Sequence, residues 1–89
     1  MKYIEWNKDK NDKLKRERNI SFEEVVILIQ DGKERDVIDN PSSHFPNQKI
    51  YVVEVHDYIY YVPYVEDEHK IFLKTIIPSR KATKKYKSK

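Results

Sequence analysis

Three residues on strand-like runs carry groups that could do chemistry together: Glu54 in "KIYVVEV", Tyr61 in "YIYYVPYV" and Lys74 in "KIFLKTII". A carboxylate, a phenol and an ammonium are the set that metal-free cleavage of an RNA phosphodiester requires. One group takes the proton of the 2′-hydroxyl, one stabilises charge on the phosphorane, and one protonates the leaving oxygen. The same side chains on a solvated sheet would form only exposed pairs of little energetic consequence.

A second group lies at the C-terminus. "PSRKATKKYKSK", residues 78–89, holds Arg80, Lys81, Lys84, Lys85, Lys87 and Lys89 and no acid. The whole chain has 18 basic and 15 acidic residues and a net charge of +3, so residues 1–77 are acidic and carry about −3. On a helix Lys81, Lys84 and Lys85 share a face. With Arg80 they suit RNA phosphates, and Tyr86 suits stacking on a base. The alternative is a solvated end, with residues 84–89 open to disorder.

Composition removes other chemistries. There is no cysteine, hence no disulfide and no thiolate zinc site. One glycine cannot build a glycine-rich phosphate loop. His44, His56 and His69 fall in loops or turns without ligand spacing, so neither a metal nor a cofactor is expected. "MKYIEWNKDK" lacks a signal-peptide core, and no run approaches the ~20 apolar residues of a membrane span. A soluble cytoplasmic protein is the expectation.

The elements that must position these groups are legible in part. "KYIEW" alternates as an edge strand does. "NKDKNDKLKRERN" has Asn7 as N-cap, Asp9 in the first turn and Asn19 at the left-handed end, with only Leu14 apolar inside. "ISFEEVVILIQDG" carries a capping box, Ser21 with Glu24, and ends at Gly32. Its apolar residues, Val25 to Ile29, run nearly all round, which predicts a largely buried helix. "ERDVIDNPSSHFPNQ" reads as a short strand and a proline-broken loop.

Two residues, His56 and Asp57, separate the next two strands, the length of a tight hairpin. Pairing Val55 with Tyr58 then sets Val53 opposite Tyr60 and Tyr51 opposite Val62. If Val65 pairs with Lys70, Leu73 meets Val62, Thr75 meets Tyr60, and Tyr61 and Lys74 become neighbours. The uncharged face of this sheet goes to the helices; the other holds Glu54, Tyr61, Lys70, Phe72 and Lys74. Pro63 belongs at a bulge or where a missing donor does no harm. The expected fold is α+β in a single domain over residues 1–89. Two N-terminal helices cover one face of an antiparallel sheet of three to four strands, and a short basic helix follows.

The order of motifs resembles the BrnT-type toxins, small ribonucleases of the RelE-like superfamily. "EWNKDK" resembles the family's opening, "ISFEEV" the start of its second helix, and "IIPSRKATKKY" its ending, where Arg80 to Thr83 match an Arg-Lys-Ala-Thr segment. The chain departs from the family's usual residues at Glu17-Arg18-Asn19, Tyr58 and Thr75, which leaves Lys74 as the strand cation. The resemblance implies a toxin that cleaves messenger RNA without metal and is neutralised by a cognate DNA-binding antitoxin in a hetero-oligomer. Lys74, Arg80, Glu54 and Tyr61 are then the catalytic candidates, and Arg80, Lys81, Lys84, Lys85 and Tyr86 the RNA-binding ones. A non-catalytic interaction module of the same fold, and a simple RNA-binding domain, are the alternatives.

Overall fold

The computed structural model describes residues 2–39 and 48–87; the proline-broken loop, His44, the Lys87 side chain and Lys89 lie outside the described residues. Elements run β1 (Tyr3–Trp6), α1 (Lys8–Arg18), α2 (Phe22–Gln30), β2 (Asp36–Asp39), β3 (Gln48–Val55), β4 (Tyr58–Glu66), β5 (Lys70–Leu73), β6 (Ile77–Pro78) and α3 (Arg80–Lys87). The sheet order is β1-β5-β4-β3-β2, with β6 paired to β4. This is an α+β fold with α1 and α2 on one face. The sheet is larger than expected, six strands, and it is mixed, because β1 runs parallel to β5.

Local chemistry sets both N-terminal helices. The Asn7 side chain accepts the N–H of Lys10 at 2.9 Å, and Asn19 ends α1 at φ 54° and ψ 39°. At α2 the Ser21 hydroxyl takes the Glu24 N–H while the Glu24 carboxylate takes the Ser21 N–H. Past its end, Gly32 at φ 68° lets its own N–H reach Ile29 O and that of Lys33 reach Leu28 O. That pair of bonds is a Schellman motif, which satisfies carbonyls the helix leaves open.

One buried polar residue ties the two helices together. Asn11, 3% exposed, accepts the Phe22 N–H with its Oδ1 and donates its Nδ2 to the Glu23 carboxylate. An α1 side chain thereby satisfies a donor of the first turn of α2, and its N–H holds the Glu23 carboxyl below its usual pKa.

The main core lies between these helices and the sheet: Leu14, Ile20, Phe22 and Val25 pack with Tyr51, Val53, Val55, Val62, Tyr64, Ile71 and Leu73. The face assigned to the helices is therefore the face they cover. The burial expected of α2 needs correction. Phe22 and Val25 are buried, but Ile27 is 59% exposed. A single layer of sheet accepts one stripe of a helix, so an all-round apolar sequence leaves its far side in solvent.

The hairpin register is as the sequence predicts: Val55↔Tyr58, Val53↔Tyr60 and Tyr51↔Val62. His56 and Asp57 have φ of 52° and 66°, the left-handed pair of a type I′ turn. The next register differs by two residues, with Tyr64↔Leu73 and Val65↔Phe72. Asp67 is the cause. Its carboxylate accepts the N–H groups of His69 and Lys70, tightening the turn and leaving Glu66 in the strand opposite Ile71. Those two bonds hold its carboxyl below the ordinary pKa. A slip of two keeps every side chain on its face.

Pro63 also has its reason. Its carbonyl accepts the Lys74 N–H at 2.8 Å, so its missing donor would point to the same side, beyond Leu73 where β5 ends.

Candidate functional site

The functional candidates lie on the other face, and α3 covers part of it. The final segment docks through three small residues. Ser79 is the N-cap, its hydroxyl accepting the Ala82 N–H at 3.1 Å. Ala82 is buried with Val52 and Ile59. Thr83 accepts the Ile59 N–H with its hydroxyl and donates that hydroxyl to Ser79 O. Since Ser79 N–H also bonds Ile59 O, the start of α3 takes the place of a strand along this part of β4. The sequence leaves residues 84–89 open to disorder; 84–87 instead complete this helix.

Tyr86 closes the far end. It packs with Ile38 and Tyr61 around Val52, Ile59 and Ala82, and its hydroxyl meets Asp36 Oδ2 at 3.2 Å. Burial, then the bond to Asp36, raises its pKa. The other oxygen of Asp36 accepts the Val37 N–H at 2.8 Å. The inner side of α3 is thus fixed to three strands, while Arg80, Lys81, Lys84 and Lys85 are all exposed. Lys85 Nζ lies 5.5 Å from the centre of the Tyr86 ring.

Glu54 lies at the end of β3, opposite Ile59. Ile59 therefore sits between Glu54 on one side and Ser79 on the other. Two strand spacings place the Glu54 backbone about 10 Å from the start of α3, where Arg80 projects. The Glu54 carboxylate contacts the guanidinium of Arg35. The sequence reading missed Arg35. The signal available was position alone: it is the one arginine between Arg18 and Arg80, directly before a strand.

Tyr61 and Lys74 do not join this group as expected. With the register moved by two, Tyr61 pairs with Val52 and Ile77, and Lys74 bonds Pro63. Lys74 is exposed and lies two same-face steps, about 13 Å, along the sheet from the Glu54–Ile59 pair. Tyr61 is half-buried in the cluster beneath α3. Glu54 and Arg80 are brought to one end of the face, and Lys74 to the other.

The described histidines sit elsewhere. His56 Nε2 is 3.1 Å from Glu24 Oε1, on a cleft of about 330 Å³ that Lys15 and Asn19 also line. His69 serves the Asp67 turn through its backbone. Among the described residues no helix is long and apolar enough to cross a membrane. The chain matches no protein-family model, no curated protein and no solved structure at a significant level.

Proposed function

We propose that the protein is a toxin-type, metal-independent ribonuclease of the RelE-like kind, held inactive by a cognate antitoxin. One observation carries this reading: a helix fixed on the sheet by its inner side presents Arg80, Lys81, Lys84 and Lys85 outward, with Glu54 on the same face about two strand spacings from its start. The backbone that carries these cations is already fixed, so no segment of chain has to be ordered when a phosphate chain binds. Glu54 is the base that takes the 2′-hydroxyl proton. Arg80 and its neighbours hold the phosphates, and exposed Lys74 lies further along the same face; Tyr61, packed beneath α3, supports the helix. The resemblance in motif order supports the same reading.

Induced expression in a bacterial host tests it. Growth should stop with the wild-type chain, and Glu54→Gln and Arg80→Ala should each relieve the arrest while the circular dichroism spectrum is retained. Arrest that persists unchanged in both variants removes the ribonuclease reading. A protein that arrests growth without cleaving RNA would be the interaction module instead.

A further inference from the structure

The ribonuclease reading leaves Arg35 without a task, and its placement supplies one. We propose that Arg35 is the phosphate-binding arginine of the Glu54 site, holding the base with part of its guanidinium and the scissile phosphate with the rest. The inference rests on the function proposed above.

The backbone of Arg35 is anchored. Its N–H bonds Val52 O at 2.7 Å, immediately before β2 begins, so the side chain starts from a fixed point of the sheet. From there it reaches Glu54 through one nitrogen, Nη2, and one oxygen, Oε1. A guanidinium carries five N–H donors in a plane, and a single contact leaves most of the fork unspent. The side chains are 45% exposed for Arg35 and 27% for Glu54, so an incoming oxyanion can approach the pair from solvent.

Glu54 is the carboxylate in contact with this cation, while Glu34, on one side of Arg35 in the chain, acts on Tyr51 and Tyr64. Asp36 is already bonded to the Val37 N–H and the Tyr86 hydroxyl. Arg35 and Arg80 thus lie on either side of the Glu54–Ile59 pair, and a phosphodiester placed there meets a cation on each flank and a carboxylate beneath. A guanidinium can grip two oxygens of one phosphate, whereas an ammonium acts as a point charge.

The step balances as follows. The 2′-oxygen bonds phosphorus as the bond from phosphorus to the 5′-oxygen breaks. The 2′-hydroxyl proton goes to Glu54, the 5′-oxygen departs with a proton from water, the hydroxide so formed takes the proton back from Glu54, and a 2′,3′-cyclic phosphate remains. Arg35 exchanges no proton; it contacts the non-bridging oxygens as charge builds on them.

The test is single-turnover cleavage of a short RNA, with binding of its 2′-deoxy analogue measured in parallel. Wild type is compared with Arg35→Ala, Arg35→Lys and, as control, Arg18→Ala on the opposite face. Loss of one oxyanion contact predicts a fall of about 10²-fold or more in cleavage for Arg35→Ala. Arg35→Lys, which keeps the charge beside Glu54, should lose about 10-fold, with an unchanged melting midpoint. Arg18→Ala should cleave as wild type does. If Arg35→Ala does not fold, Arg35→Lys decides alone. Wild-type cleavage by Arg35→Lys overturns the proposal, because charge without the fork would then suffice. A wild-type chain that cleaves no RNA overturns the ribonuclease reading and this inference with it; an active wild type with an equally active Arg35→Ala overturns the inference alone.

Discussion

The Thr83 hydroxyl accepts the backbone N–H of Ile59 at 3.0 Å, so a helix side chain completes the hydrogen bonding of a strand. That bond fixes the first turn of α3 beside the proposed site. Thr83→Val keeps the shape and removes the hydroxyl, leaving the Ile59 N–H and one bond to Ser79 O unmet. The expected cost is about 1–3 kcal/mol. Denaturant titration should show it, and RNA affinity should fall as the basic ridge loosens. Unchanged stability would mean that water replaces the hydroxyl and α3 is held by its apolar contacts alone.

Asn11 predicts a coupling between the helices. Asn11→Ala loses the acceptor for the Phe22 N–H and the donor to Glu23, and should cost about 1–3 kcal/mol. Asn11→Asp keeps the acceptor but sets a second carboxylate against Glu23, so at neutral pH it should be the less stable of the two variants. Its deficit should shrink as the pH falls through the carboxylate range. Equal stability of both variants across that range would refute the assigned geometry.

Tyrosine ionisation predicts an alkaline limit. Tyr51 and Tyr64 stack at 4.1 Å in the main core, and burial raises the pKa of each above 10.0. A raised folded pKa means that the fold holds these protons more tightly than the unfolded chain does. Their contribution is complete below pH 10 and is lost as the pH rises through the folded values. Ultraviolet titration should therefore show this pair ionising only as the dichroism collapses. All seven tyrosines titrating together in an intact fold would contradict the packing.

These tests also mark what the sequence makes legible. Asn7, Ser21, Glu24 and Gly32 each have a local partner, Asn19 needs only its left-handed backbone, and all hold the positions that their chemistry predicts. The two-residue hairpin likewise fixes its own register. Non-local pairing is less accessible: nothing in "KYIEW" says that β1 will lie parallel to β5. The docking of α3 depends on Ser79, Ala82 and Thr83, ordinary residues that gain meaning only when Ile59 lies beneath them. Of the proposed site, Glu54 is a candidate by residue type on its strand and Arg80 by the basic run and the resemblance. Arg35 is not, since its partner is reached across β2 and β3 rather than along the chain.

Salt dependence checks the exposed ridge. Four described cations, Arg80, Lys81, Lys84 and Lys85, project from α3. If they meet three to four phosphates of single-stranded RNA, log affinity should fall against log salt with a slope of about −2 to −3. Truncation after Thr83 removes Lys84, Lys85, Lys87 and Lys89 and should flatten the slope by about one unit or more. An unaltered slope would place the RNA contacts away from this helix.

The parallel pairing of β1 with β5 has a consequence for synthesis. During synthesis β1, beginning at Tyr3, waits for Lys70 to Leu73 before its partner exists. The helix that carries the basic ridge is made later still, and its seat on Ile59 cannot be occupied until then. Such long-range closure slows folding. Copies cut short before Arg80 would thus keep the strands and lack the ridge altogether.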